Sequence, residues 1–152
     1  MRNPNKNLNK NDSLIFFSLI LKKFILQLMK DGKKFKAEKI LKNVLVKISL
    51  KGYSPVKVLT LAVNNVKPLV EVRNVRLKGK SFQVPFPIQL SRQISASFKI
   101  LLKSSAGKKN FEDSLVEELI NSSFGKSQSV KTTLNLHKLA YQNRLFTNYR
   151  WF

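Results

Sequence analysis

From about residue 13 onward, apolar residues recur at spacings of three and four along most of the chain, and the period changes only in the middle. A first block runs from Ser13 to about Lys30. Asp12 or Ser13 is suited to cap it, and Asp31-Gly32 reads as a stop and turn. In a second block Ala37, Ile40, Leu41, Val44, Leu45 and Ile48 form one stripe, with Lys36, Lys39, Lys42 and Lys47 on the other side. Ser54-Pro55 then restarts a helix, with serine as cap and proline at the first helical position, and Pro68 ends it. Its stripe is Val58, Leu59, Ala62, Val63 and Val66.

Leu69 to Leu77 and Ser81 to Leu90 are rich in Val, Phe and Ile and flank Gly79, which predicts a hairpin. Pro85 and Pro87 predict irregular pairing in part of its second strand. Helical spacing returns from Arg92 to Lys103 through Ile94, Phe98, Leu101 and Leu102, and Ser104 to Asn110 reads as a loop. Asn110 is suited to cap a helix with Leu115, Val116, Leu119 and Ile120 on its apolar side. Ser122 to Ser129 reads as a polar loop around Gly125. A last helix is expected from near Thr132 towards Asn148, with Leu136, Leu139, Ala140, Asn143 and Phe146 on its inner arc. The expected fold is mainly α. A single helical domain of about six helices covers residues 13–152, a β-ribbon at about 69–90 protrudes between the third and fourth helices, and residues 1–12 form a flexible polar arm.

Charge changes the picture most. Lys and Arg outnumber Asp and Glu 29 to 8, a net charge of +21 on 152 residues. Such a domain repels itself unless a polyanion neutralises it, and nucleic acid or an acidic membrane surface would serve. With 43% hydrophobic residues the chain has material for a core. The absence of Cys excludes disulfides and thiolate metal sites, and the one His does not make an ordinary zinc site, so no cofactor is expected. The apolar run Leu14 to Leu21 imitates a signal sequence, but Lys22 and Lys23 interrupt it well short of the roughly 20 residues a span requires. It reads as a buried first helix, without membrane insertion.

Several apparent motifs fail. Gly125-Lys126-Ser127 resembles the end of a phosphate-binding loop, but Ile120 stands where that motif needs glycine. Glu112, Asp113, Glu117 and Glu118 are spaced as a solvated helix face rather than a general acid–base pair. His137 has no catalytic partner near it in the sequence, which leaves it a structural or RNA-contacting role, and the chain is not expected to be an enzyme. Two features survive. Arg73, Arg76, Lys78 and Lys80 cluster around the hairpin tip, as suits a ribbon laid along a phosphate backbone. His137, Tyr141, Arg144 and Asn148 fall on one helix face, and stacking rings, a guanidinium and amides are the groups that hold unpaired bases. The chain closes with Tyr149-Arg150-Trp151-Phe152, in which Trp151 and Phe152 read as apolar anchors.

At these residues the sequence resembles the small-subunit ribosomal protein seven family. The resemblance lies in Lys23-Phe24 through Met29, Asp31-Gly32-Lys33-Lys34 with Ala37-Glu38, Asn65-Val66-Lys67-Pro68, Glu71-Val72, Gln83-Val84-Pro85, and the closing His137, Ala140, Asn143, Phe146 and Tyr149-Arg150-Trp151. Lys78 departs from the paired glycines usual at the family's hairpin tip, and Ser91 to Phe111 matches weakly. The resemblance implies a structural constituent of the small ribosomal subunit that binds the 3′ major (head) domain of small-subunit rRNA and assists head assembly. It implies a place near the exit tRNA site and the mRNA exit path, with small-subunit proteins nine and eleven as neighbours. The expected RNA-binding residues are Lys33, Lys34, Arg73, Arg76, Lys78, Lys80, Arg92, His137, Arg144 and Arg150. Heavy use of Lys, Asn, Phe and Ile, together with the departures, points to an organelle-encoded protein of a mitochondrial ribosome, with plastid or bacterial cytoplasm as alternatives. The competing readings are a basic membrane-surface protein and a general nucleic-acid-binding protein.

Overall fold

The computed structural model describes residues 10–107 and 110–150, with side chains from Phe17 onward. The elements follow in the order α1 (Lys10–Leu28), α2 (Lys34–Leu50), α3 (Pro55–Val66), β1 (Val70–Leu77), β2 (Lys80–Pro87), α4 (Leu90–Ser105), α5 (Phe111–Ser123) and α6 (Gln128–Gln142), closed by a 3-10 helix (Arg144–Tyr149). The expected class therefore holds: six α-helices among the described residues, with one antiparallel hairpin between the third and fourth.

The apolar stripes meet in one core. All five stripe residues of α3 are buried, as are Ala37, Leu41, Val44 and Ile48 of α2 and Leu115, Val116 and Leu119 of α5. The run that imitated a signal sequence supplies Ile20, and Phe24 follows it into the core. The Phe24 ring stacks on Phe98 of α4 with centroids 4.5 Å apart and planes 9° from parallel, and neither ring is exposed. Among the described residues no helix is long and apolar enough to cross a membrane.

Several boundaries differ from the expectation. α1 is already helical at Lys10, so Asp12 and Ser13 lie inside it and are not its cap, and the last three residues of the expected arm are helical. The rest of that arm lies outside the described residues. Leu90 opens α4 instead of closing a strand, because Gln89 takes the extended cap position and Gln93 Nε2 donates to Ile88 O at 2.8 Å. Ser104 and Ser105, read as loop residues, continue α4. Their hydroxyls donate back to Ile100 O and Leu101 O at 3.0 and 2.9 Å, so neither competes with the helix. α6 starts four residues before Thr132, because Ser127 caps it by accepting from Val130 N at 3.2 Å. It ends at Gln142, where Asn143 Nδ2 donates to Leu139 O at 2.9 Å and the backbone tightens into the 3-10 helix.

The hairpin also differs. Pairing runs unbroken from Leu77↔Lys80 to Val70↔Pro87, straight through Pro85. Ile88 N donates across to Leu69 O at 3.2 Å, so alternate backbone N–H groups of β2 point at β1. Pro85 and Pro87 fall on the opposite parity and face the edge away from β1, where the ladder needs no N–H. A lone two-stranded ribbon is marginal in water, and this one rests on the C-terminal elements. Val84 is fully buried, and the Phe82 ring packs between Phe146 and Tyr149 at 5.2 and 5.5 Å between centroids. The tip, residues 76–81, is exposed apart from the half-buried Leu77.

Candidate nucleic-acid interface

The tip is a two-residue turn in which Lys78 and Gly79 both have positive φ, 46° and 81°. That pair of conformations gives the turn whose twist matches the strands it joins. Glycine takes it freely and lysine does so at a cost of about 1–2 kcal/mol. A cation is thus held at the apex in a conformation that disfavours it. Arg76, Lys78 and Lys80 are exposed and make no ion pair among the described residues.

Arg73, the fourth cation expected there, is different. It pairs with Glu71 on its own strand, and its guanidinium lies 4.9 Å from the Phe86 ring centroid. The other oxygen of Glu71 accepts from Arg92 Nε at 3.0 Å. One carboxylate therefore ties β1 to α4 and fixes both guanidinium groups at the hairpin base. Beside them a cleft of about 520 Å³ is lined by Lys23, Glu71, Ser91, Arg92, Ser95 and Lys99. Lys23 Nζ donates to Ser91 O at 3.4 Å across it. Three cations and two hydroxyls against one carboxylate make a pocket suited to a phosphate. Of these, the sequence reading singled out only Arg92. Lys23 and Lys99 belong to helices far apart in the chain, and only packing brings them together.

The face expected on the last helix is broken by the change to 3-10 geometry after Gln142. His137 Nε2 accepts a hydrogen bond from Leu69 N at 3.1 Å, which pins the start of the hairpin to α6. This nitrogen is turned to the protein. Tyr141 remains exposed, at 67%, with the Arg144 guanidinium 4.5 Å from its ring centroid. That pair is an open stacking surface. Arg150 is turned inward: its Nε donates to Pro85 O at 2.6 Å. The anchors expected at Trp151 and Phe152 lie outside the described residues. Lys33 and Lys34 are exposed on the α1–α2 turn, in loose pairs with Asp31 at 3.8 Å and Glu38 at 3.6 Å.

The acidic helix is not the uniform solvated face its spacing predicts. Asp113 and Glu117 are exposed, and of the two only Glu117 makes no ion pair among the described residues. Glu118 is 6% exposed and accepts from Ser129 N at 2.9 Å and from Ser129 Oγ, binding the start of α6 to α5. Its position beside Leu119 carries it into the α5–α6 contact, where Ser129 N and Oγ both donate to its Oε1. Glu112 and Asp113 pair with Lys47 of α2 at 3.1 and 2.7 Å. Asn43 Nδ2, which donates to Glu112 at 3.1 Å, is the largest cause holding that carboxyl below its usual value, and Lys47 adds to it. Lys47 in turn holds Asp113 low, and is itself raised chiefly by the Asp113 hydrogen bond and then by that of Glu112.

The scaffold that carries these charges has relatives. The sequence profile of the family described as Ribosomal protein S7p/S5e matches residues 1–144. The chain belongs to the S7p/S5e family. Its relatives include proteins named small ribosomal subunit protein uS7 from Bordetella petrii, Phytoplasma australiense and Pelagibacter ubique. The first is 36% identical over 139 residues, covering 90% of this chain and 89% of the relative. The second is 36% identical over 144 residues, with 93% and 92% covered. The third is 36% identical over 140 residues, with 90% of each covered. The S7p/S5e proteins are structural proteins of the ribosome and not enzymes. The matched residues take in the hairpin, the cleft at its base and α6, and stop short of Arg150.

Proposed function

We propose that this protein is a structural constituent of the small ribosomal subunit that binds the 3′ major domain of small-subunit rRNA and draws its helices together as the head assembles. The observation that carries this reading is the distribution of charge on an S7p/S5e scaffold. The one carboxylate at the hairpin base, Glu71, is spent on internal pairs, while Arg76, Lys78 and Lys80 stand at the tip of a firmly seated ribbon without acidic partners among the described residues. Arg73 and Arg92, with Lys23 and Lys99, extend the cationic surface to the hairpin base. Tyr141 with Arg144 offers a place for an unpaired base. Lys33 and Lys34 make peripheral phosphate contacts. His137 and Arg150 act from behind, by fixing the ribbon.

The finer placement belongs to the same proposal. The hairpin reaches towards the exit tRNA site and the mRNA exit path, and small-subunit proteins nine and eleven are the neighbours. The ribosome is mitochondrial and the protein organelle-encoded, a reading supported by the Lys-, Asn-, Phe- and Ile-rich composition. Co-sedimentation with the small subunit through high-salt gradients tests the core of this reading. Retention with the subunit is the expected result. Release at moderate salt with equal binding to unrelated duplexes would return the chain to a general nucleic-acid-binding protein, and binding to anionic vesicles without RNA to a membrane-surface one.

A further inference from the structure

A second cavity lies well away from the hairpin in sequence and in the elements that build it. The end of α1, the start of α2, the end of α4 and Phe111 of α5 enclose about 460 Å³. That is the size of a small-molecule pocket, not of a packing defect. Its floor is apolar: Leu28, Ala37, Ile40, Leu102 and Phe111. Water held there finds few hydrogen-bond partners, so displacing it is favourable. The rim has the opposite character. Lys30, Lys33 and Lys36 border the opening, and no carboxylate lines it among the described residues. Lys33 has only the loose pair with Asp31, while Lys30 and Lys36 have no ion pair among the described residues.

An apolar floor flanked by three cations of the α1–α2 turn and first turn of α2 selects an occupant that is flat and apolar in its body and anionic at its margin. We propose that this pocket takes one unpaired nucleobase of a bound RNA strand, with the phosphates on either side held by Lys30, Lys33 and Lys36. The base stacks on the Phe111 side of the floor, and its backbone stays in solvent at the rim. This inference rests on the RNA-binding reading above and adds to it a second, separate contact that reads a single-stranded nucleotide. The phosphate contact of Lys33 then lies at the rim of this pocket.

Methyl NMR on the full chain tests it, with an adenylate hexamer as probe and an abasic ribose-phosphate hexamer of equal charge as control. The adenylate hexamer is expected to shift the methyl signals of Leu28, Ile40 and Leu102, and the abasic strand to leave them in place. Ala106, which lines the opening and is exposed, gives a blocking variant: Ala106→Trp should abolish these shifts with the melting temperature unchanged. Changing Lys30, Lys33 and Lys36 to Gln should weaken hexamer binding about tenfold, as loss of a few phosphate contacts does. Equal shifts with the abasic strand, or stronger shifts with a Phe-containing polyglutamate peptide, would overturn the proposal, the latter in favour of an acidic protein segment. Wild-type chain that binds the rRNA head junction but shows no methyl shift with the hexamer refutes the pocket alone. Failure to bind the junction refutes the broader reading.

Discussion

The α2–α5 contact and the hairpin tip treat charge in opposite ways. In the first, Lys47 meets Glu112 and Asp113 within 3.1 Å, Asn43 adds a hydrogen bond, and Glu118 one turn on is buried against Ser129. In the second, three cations crowd six residues with no acid to balance them, and one sits in a backbone conformation that lysine avoids. Few carboxylates are available in a chain with a net charge of +21, and the fold uses them where helices must be joined. What they leave unbalanced is the surface proposed above to meet a polyanion. The contrast predicts that the body governs stability and the tip governs affinity.

The largest effect expected is in the core. Phe98→Ala removes the partner of Phe24 from a fully buried stack and should cost about 3–5 kcal/mol of stability. Changing Arg76, Lys78 and Lys80 together to Gln should leave stability within about 0.5 kcal/mol, since exposed unpaired side chains contribute little. Melting curves on the two variants compare the regions directly, and a large loss from the tip variant would break the contrast.

Next comes Glu118→Ala, which leaves Ser129 N–H and hydroxyl buried without their acceptor. A loss of about 1–3 kcal/mol is expected in denaturant titration. A change as small as that of an exposed carboxylate would show that α6 does not depend on this acid.

The two C-terminal arginines sharpen the comparison within one segment. Arg150→Ala removes a hydrogen bond from a charged group to Pro85 O and should lower stability by about 1.5 kcal/mol. Arg144→Ala, exposed against Tyr141, should change stability by less than about 0.5 kcal/mol and lower RNA affinity. Thermal melts paired with RNA titrations separate them.

The smallest effect is the pH response of the Lys47 cluster, in which Asp113 is exposed, Lys47 and Glu112 are only half-buried, and solvent screens the pairs. Glu112 and Asp113 are held below their usual values, so their contribution is complete above the unfolded carboxylate range, about pH 4, and is lost as pH falls through the depressed folded values. Lys47 is raised, so its contribution is present below its ordinary value and is lost as pH climbs through the raised one. In Lys47→Met both losses should shrink, which melting temperature followed across pH would show.

Much of this was legible in the sequence. The stripes of α2, α3 and α5 fell on the buried residues because a three-to-four spacing leaves one face for the core. The hairpin and its cationic tip followed from the change of period around Gly79. The losses came where one residue type has two uses. Serines at 104 and 105 can open a loop or bond back along a helix, and the choice was made by packing at Ser105, which is buried. Glu118 looked like its solvated neighbours until α6 placed Ser129 over it. His137, Arg144 and Arg150 looked alike as RNA ligands, yet His137 and Arg150 are tied to Leu69 and Pro85, some 65 or more residues away in the chain. The cleft that joins Lys23, Arg92 and Lys99 had no linear signal at all.

The central claim is that the unbalanced cations of the tip contact RNA. It is tested most directly by the salt dependence of binding to the rRNA head junction, for wild type and for the variant with Arg76, Lys78 and Lys80 changed to Gln. Each phosphate contact contributes roughly 0.7–0.9 to the slope of log affinity against log salt. Wild type should show a steep slope and the variant one shallower by about 2, with the same melting temperature for both. Equal slopes from two equally folded proteins would contradict it, and would place the polyanion on some other face of the molecule.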